Sequence, residues 1–262
     1  MARESKKSGG TLRLEPRGIR RTLWLGLALA ILLCVSTALA ALKLRQYVIH
    51  DPEFIMTRDR PDSLTIEGLR YTSRAKVRHV FSADFDHSIF AIPLDERRRR
   101  LLGIDWVEDA SISRIWPDRL LVRIRERTPV AYVSFNSGVL LIDAYGSLLD
   151  APPSSHFAFP LLSGVREDET EDQRRERVRA LLRVEQEMGY LFKDISEVDV
   201  SDIEDIRVVT QVDRRAVQLL MGDTNFASRY QNFTSHYPEI HKRSPEVKTF
   251  DLRLDDRITA RK

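Results

Sequence analysis

Cysteine is nearly absent from this chain of 262 residues, since Cys34 is the only one. A single cysteine cannot form a disulfide within the chain, so a part outside the cytoplasm must fold on its hydrophobic core alone. Cys34 also lies inside a long apolar run, out of reach of any base that could activate its thiol. The chain is therefore neither a disulfide-stabilised domain nor a cysteine-dependent enzyme.

Signatures of catalysis and metal binding are missing as well. There is no Gly-x-Ser-x-Gly motif and no glycine-rich phosphate loop, and none of the six histidines has the His-x-x-x-His or His-Glu-x-x-His spacing of zinc sites. Acidic residues cluster at 167–172, but the start of a predicted helix suits them because they compensate the helix dipole. We predict no catalytic residue, no metal and no cofactor, and hence no enzyme.

Charged residues are absent for 21 positions, from Thr22 to Leu42. As a helix this segment would be roughly 31 Å long, enough to cross a bilayer. Arginines precede it at positions 13, 17, 20 and 21, which by the positive-inside rule places residues 1–21 in the cytoplasm and the rest outside.

A cleaved signal peptide is the alternative, because Ala38-Leu39-Ala40 has the form of a cleavage site. The leading segment and the apolar run are both long for a signal peptide, which favours a retained anchor.

Net charge argues against nucleic-acid binding. Residues 1–42 carry seven Lys/Arg and two Glu, which is a net charge of +5. The whole chain has a net charge of +3, so residues 43–262 have a net charge of −2. The excess of basic residues belongs to the tail, where it orients the chain in the membrane.

A β-hairpin is predicted within residues 105–133, where two alternating runs flank the turn Trp116-Pro117-Asp118. Trp106 and Trp116 are expected to fill the core or to staple the ends of the hairpin. Before it come a short strand at 64–69, a helix from Thr72 or Ser73 to Phe81, and a second helix at 94–102. The predicted order is strand, helix, helix, strand, strand.

The following residues predict a mixed domain. Helices are indicated at 167–188 and from 226 to about 237, and strands are indicated at 139–142, 198–200, 206–209, 216–221 and 247–254.

Several motifs resemble the FtsQ/DivIB family of bacterial cell-division proteins. They are Arg114-Ile115-Trp116-Pro117 at the turn, Glu126-Arg127-Thr128-Pro129-Val130-Ala131 after the hairpin, Phe159-Pro160-Leu161-Leu162-Ser163-Gly164, Gly222-Asp223, and the closing strand Val247–Leu254.

The resemblance implies an α+β chain with a single transmembrane helix, a POTRA domain of β-α-α-β-β order and a mixed β-domain with flanking helices. The expected divisions are a cytoplasmic basic tail (1–21), a transmembrane helix (22–42), a linker (43–62), the POTRA domain (63–128), the β-domain (129–256) and a C-terminal tail (257–262).

The resemblance also implies a function. Members are non-enzymatic, single-pass scaffolds of the divisome in the bacterial inner membrane, enriched at the division site. They bind FtsB and FtsL through the extracytoplasmic β-domain, link early and late division proteins and regulate septal peptidoglycan synthesis. No nucleic acid is expected as a partner.

Matching the motifs assigns FtsB binding to Phe250, Leu252, Arg253 and Leu254 of the last strand, and recruitment through the POTRA domain to Glu126. Many relatives carry tyrosine where this chain has Leu254. The residue pattern alone leaves open whether that strand lies at an edge of its sheet or inside it. The resemblance favours an edge that accepts an extended FtsB segment, so a charge at Phe250 or Leu252 is expected to abolish FtsB binding and to leave the fold intact.

Two functions of other classes remain alternatives. A POTRA-bearing component of secretion or outer-membrane assembly would continue into a β-barrel or into further POTRA repeats. An anchored envelope enzyme would need a nucleophile and a base brought together by the fold. Depletion would separate them, since filamentous cells indicate division and lost outer-membrane proteins indicate assembly.

Overall fold

A computed structural model describes residues 16–152, 156–255 and 257–261. Most of the predicted cytoplasmic tail, residues 1–15, and the last residue of the predicted C-terminal tail lie outside the described residues. The chain divides into two compact units, one of residues 1–64, 84–92 and 114–120 and the other of residues 65–83, 93–113 and 121–262.

The first element is the long helix α1, Pro16–His50. Its apolar window Gly26–Lys43 has a mean hydropathy of 2.1, and among the described residues it is the one segment long and apolar enough to cross a membrane. The predicted span 22–42 therefore lies within a helix that continues for two further turns.

Five elements follow in the predicted order. They are β1 (Leu64–Glu67), α2 (Arg74–Val80), α3 (Leu94–Leu102), β2 (Val107–Ile115) and β3 (Arg119–Glu126). The strands form a sheet of order β1-β3-β2. The prediction for α3 is confirmed to the residue because Pro93 precedes it and Gly103 caps its end.

The tryptophans at the two ends of the hairpin differ. Trp106 is buried, and its indole Nε1 donates a hydrogen bond to the carbonyl of Asp150 at 2.9 Å. Trp116 is 66% exposed, so the expected core position is wrong for it. It packs instead against Phe54 and Phe90.

The rest of the chain forms a second sheet with two helices. Its elements are β4 (Pro129–Phe135), β5 (Gly138–Asp143), β6 (Leu148–Leu149), β7 (Leu161–Ser163), α4 (Glu171–Met188), β8 (Ile195–Asp199), β9 (Ile206–Val212), β10 (Arg215–Gly222), α5 (Phe226–Arg243), β11 (Thr249–Asp251) and β12 (Thr259–Arg261). The nine strands lie in the order β12-β11-β10-β9-β8-β7-β4-β5-β6. The predicted α+β class is confirmed.

Helix α4 begins at Glu171 rather than at the predicted residue 167. The reason is a capping box that the sequence analysis missed. The Thr170 hydroxyl accepts from the Gln173 N–H at 3.3 Å, and the Gln173 side chain accepts from the Thr170 N–H at 2.9 Å.

Helix α5 continues past the predicted end to Arg243, through Pro238. Proline removes one helical hydrogen bond, but Tyr237 is buried and Ile240 packs against the core on the same helix. Burial of the apolar face thus outweighs the local preference to stop. Together α4 and α5 contribute Val178, Leu181, Val184, Phe226, Tyr230 and Phe233 to one hydrophobic core with the sheet.

Candidate partner-binding surface

Phe250 and Leu252, the two apolar residues predicted to bind a partner, are core residues. They are 1% and 2% exposed. The Phe250 ring lies 5.2 Å from that of Phe233 and 6.1 Å from that of Tyr237, measured between centroids. The expectation that a charge at either position would leave the fold intact is therefore wrong.

Strand β11, which contains Phe250, is flanked on both sides. It pairs in parallel with β10 and antiparallel with β12. An edge position for it, which the partner-binding prediction assumed, is therefore wrong. The residues responsible are Thr259–Arg261, predicted as tail, which fold back as β12.

Hydrogen bonds between β10 and β11 fix which way the backbone of β11 points. The Gln218 N–H donates to the Lys248 carbonyl at 2.8 Å, and the Leu252 N–H donates to the Leu220 carbonyl at 3.0 Å. Residues 248 and 252 therefore direct their backbone groups toward β10, and so does Phe250 between them, because alternate residues of a strand point to the same side.

Thr249 and Asp251 accordingly direct their backbone groups toward β12, where they pair with Arg261 and Thr259. Ala260, between those two, directs its N–H and C=O away from the sheet. All three residues of β12 are exposed, and no strand in the described part of the chain pairs with its outer side. The sheet therefore has an unpaired main-chain edge at β12, one strand beyond β11, where the edge was predicted.

Arg253, the third predicted contact, is held by carboxylates of this chain. Its Nε and Nη2 donate to the two Asp251 carboxylate oxygens at 2.9 and 2.7 Å, and its Nη1 lies 3.3 Å from Asp205 Oδ2. Arg261 of β12 donates to the same Asp251 at 2.7 Å. The hydrogen bonds from Arg253, with the charge of Arg261, lower the pKa of Asp251 to about 2, and Asp251 raises the pKa of Arg253. This cluster joins the end of β11 to β12.

Leu254, the fourth predicted contact, is 55% exposed. The backbone before it is fixed by Arg229 of α5, which donates to the Arg253 carbonyl at 2.9 Å and to Asp255 at 2.8 Å. Leu254 is thus an exposed apolar side chain on an anchored turn between β11 and β12.

Glu126, predicted to act in recruitment, ends β3 and holds the loop that enters α2. Its carboxylate accepts from the Thr72 N–H at 2.6 Å and from the Tyr71 N–H at 2.9 Å. Burial raises the pKa of Glu126, but hydrogen bonds from Thr72 and Tyr71 outweigh it and leave the pKa below its usual value. Its observed contacts are internal.

The arrangement offers main-chain pairing rather than acid–base chemistry. With a pKa of about 2, Asp251 cannot carry a proton at neutral pH, and its charge is compensated by two arginines. Within the described ranges, no three His, Cys, Asp or Glu side chains are grouped so as to hold a metal ion.

Two family models match successive parts of the chain. Residues 60–127 match the POTRA domain of FtsQ type, and residues 131–253 match the C-terminal domain of the cell division protein FtsQ/DivIB. The chain belongs to the FtsQ/DivIB family. With helix α1, this membership implies a membrane-anchored protein with an extracytoplasmic domain.

Relatives named "Cell division protein FtsQ" support the FtsQ/DivIB assignment. The protein from Koribacter versatilis is 36% identical over 203 residues, covering 75% of this chain and 58% of that protein. The one from Zymomonas mobilis is 34% identical over 38% of this chain and 32% of its own length. The one from Caulobacter vibrioides is 25% identical over 78% and 71%. The match thus spans less than two thirds of the first two relatives.

Among solved structures, the extracytoplasmic domain of DivIB from Geobacillus stearothermophilus is 18% identical, with a TM-score of 0.26, covering 46% of this chain and 95% of that one. A likeness at this TM-score adds nothing to the FtsQ/DivIB match.

Proposed function

We propose that this chain is a non-enzymatic, single-pass scaffold of the bacterial divisome that binds FtsB and FtsL outside the cytoplasmic membrane. In this role it links early and late division proteins and regulates septal peptidoglycan synthesis. Membership of the FtsQ/DivIB family supports the division role, and relatives are named as cell division proteins rather than as enzymes.

The proposed arrangement in the membrane follows the expected divisions. Residues 1–21 lie in the cytoplasm, residues 22–42 cross the inner membrane, and the linker 43–62 leads to a POTRA domain at 63–128 and a β-domain at 129–256, both extracytoplasmic and enriched at the division site. The helix Pro16–His50 and its apolar window support the anchor. Recruitment through the POTRA domain near Glu126 remains part of the proposal.

Strand addition at β12 is the proposed mode of FtsB binding. The supporting observation is the exposed edge at Ala260, whose N–H and C=O point away from β11. An extended segment can extend a sheet through main-chain hydrogen bonds, and these require no particular side chain of the edge strand. Leu254 lies on the anchored turn that leads from β11 to β12 and supplies an exposed apolar side chain.

Replacing Ala260 by proline tests strand addition. The A260P variant removes the outward N–H but leaves the bonds of Thr259 and Arg261 to β11, and proline is tolerated where an edge strand faces solvent. We expect FtsB, presented with FtsL, to bind the full-length variant roughly ten-fold more weakly, the loss of about one hydrogen bond. The measurement is a binding titration in detergent.

Ala260→Ser is the matched control, because serine keeps the backbone N–H. It should bind as the wild type does. Equal binding by the proline variant, with unchanged circular dichroism, would refute strand addition at β12. The division role would then still be tested separately by depletion, which should give filamentous cells.

A further inference from the structure

Trp116 exposes an apolar surface at the turn between β2 and β3. It is 66% exposed, and its neighbour Ile115 is 36% exposed. The turn itself does not require a large apolar side chain at either position. A tryptophan ring is usually mostly buried in its own chain unless another molecule covers it. The position of this turn relative to helix α1 indicates what could cover it.

The Trp116 ring belongs to a cluster of three aromatic side chains, here called the aromatic triad: Phe54, Phe90 and Trp116. Centroid distances are 5.6 Å from Trp116 to Phe54 and 5.3 Å from Phe90 to each of the others, all edge to face. An ion pair between Arg60 and Asp118 also joins the segment after α1 to the hairpin turn. The turn is thus attached to the chain that leaves the membrane helix.

The segment that connects α1 to the aromatic triad is fixed by backbone hydrogen bonds. The Met56 N–H donates to the His87 carbonyl at 3.0 Å, and the Ile89 N–H donates to the Phe54 carbonyl at 2.9 Å. From Phe54 onward the predicted linker is therefore bound to the folded chain. Only the residues between α1 and Phe54 remain to set the distance from the membrane.

That distance is short. The apolar window ends at Lys43 and the helix at His50, which at 1.5 Å per residue adds about 10 Å. The 3₁₀ turn Pro52–Phe54, preceded by Asp51, adds at most about 8 Å more. Phe54 therefore lies at most about 18 Å from the hydrocarbon core, and less if helix α1 is tilted. The headgroup layer itself covers about 5–8 Å of that distance.

We propose that Trp116, supported by Ile115, contacts the lipid headgroup layer on the outer face of the membrane that α1 crosses. The inference rests on the proposed membrane span but not on FtsB binding. Tryptophan is enriched at this depth because its ring is apolar and its indole N–H forms hydrogen bonds. The contact would hold the hairpin turn at the membrane surface.

Neutral lipids are the expected ligands. Residues 51–64 contain four Asp/Glu and two Arg, and residues 114–119 of the turn contain two Arg and one Asp, so the chain near Trp116 has no excess of basic residues that would bind anionic headgroups. Attraction must therefore come from the aromatic side chain rather than from charge. Vesicles of phosphatidylcholine alone should suffice.

Fluorescence quenching tests the contact in the full-length protein. Trp24 of α1 is replaced by phenylalanine, which leaves the buried Trp106 and the exposed Trp116. The protein is reconstituted into phosphatidylcholine vesicles that carry a nitroxide either at the headgroup or at the chain end. We expect quenching by the headgroup label, weaker quenching by the chain-end label, and loss of most headgroup quenching when Trp116→Phe is added.

Several results would overturn the proposal. These are no quenching from either label position, equal headgroup quenching with and without Trp116→Phe, or quenching that appears only when phosphatidylglycerol is included. Phenylalanine keeps an aromatic ring against Phe54 and Phe90, and the comparison of the two label depths needs no substitution at position 116. A folding defect of that variant would thus still leave the first result decisive.

Discussion

Strands β11 and β12 lie side by side and are three residues long each, yet their surroundings are opposite. Phe250 at the centre of β11 is buried between two neighbouring strands and against α5. Its cross-strand partner Ala260, at the centre of β12, is exposed and has a strand on one side only.

The comparison separates two roles that the family motif at the last strand assigns to the same residues, namely stabilising the sheet and binding a partner. The Phe250–Arg253 stretch holds the last part of the chain onto the sheet, through core packing and the ion pair between Arg253 and Asp205. Recognition by main-chain pairing needs an unpartnered edge, which belongs to a strand with no apolar signature. A residue carried over by motif can therefore mark the support of a binding surface rather than the surface itself.

The largest expected effect comes from Phe250→Asp. It removes a ring packed against Phe233 and Tyr237 and buries a carboxylate without a partner. Loss of the ring alone costs about 3–5 kcal/mol. We expect the C-terminal domain of the full-length protein to lose its cooperative thermal transition, followed by circular dichroism in detergent.

Leu254→Asp is the matched control, since it places the same charge on an exposed side chain four residues later. Its free energy of unfolding should stay within about 0.5 kcal/mol of the wild type. If the two variants were equally stable, Phe250 would not be the core residue described here, and the contrast between the strands would fail.

Much of this fold could be predicted from local patterns. Helix α3 was predicted to the residue because proline and glycine delimit it, and the hairpin followed from alternation on either side of a proline turn. Helix α5 could be placed because Phe226, Tyr230 and Phe233 recur at helical spacing. Each of these signals lies within about 20 residues.

The site could not be placed in the same way because the position of a strand in its sheet is a long-range property. β11 pairs in parallel with β10, from which α5 separates it, and nothing in residues 249–251 records that pairing. β12 has one small apolar residue, Ala260, and so lacks the alternation that indicates a strand. Glu126 likewise binds backbone groups at Tyr71 and Thr72, more than 50 residues away.

A smaller effect is expected from Asp251→Asn, which weakens the link between β11 and its flanking arginines. The pKa of Asp251 is about 2 in the folded chain, against an ordinary value of 3.8. A depressed pKa stabilises the fold above the ordinary value, and that stabilisation is lost as the pH falls from about 4 toward 2. Urea unfolding of the wild type should show this loss.

In the Asp251→Asn variant the same pH range should show a shallower decline, and stability at neutral pH should fall by roughly 1–2 kcal/mol. Asparagine keeps the shape and one acceptor oxygen but replaces the other oxygen with an NH2 donor, so the difference reports the joint loss of the charge and of hydrogen bonds from Arg253 and Arg261. Identical pH profiles for the two proteins would mean that the Arg253 and Arg261 contacts contribute no stability.

The smallest effect is expected from Arg261→Ala, which removes the side-chain link from β12 to Asp251. The Arg261 side chain is 51% exposed, and half-exposed ion pairs contribute about 0.2–1 kcal/mol. Global unfolding should therefore barely change, while hydrogen exchange at the β12 amides should become faster because the edge strand detaches more often. Arg261→Lys, which keeps the charge, should exchange at an intermediate rate. A loss of global stability as large as that of Asp251→Asn would show that β12 is part of the cooperative fold, and the edge would then be a fixed feature rather than a strand that opens independently of β11.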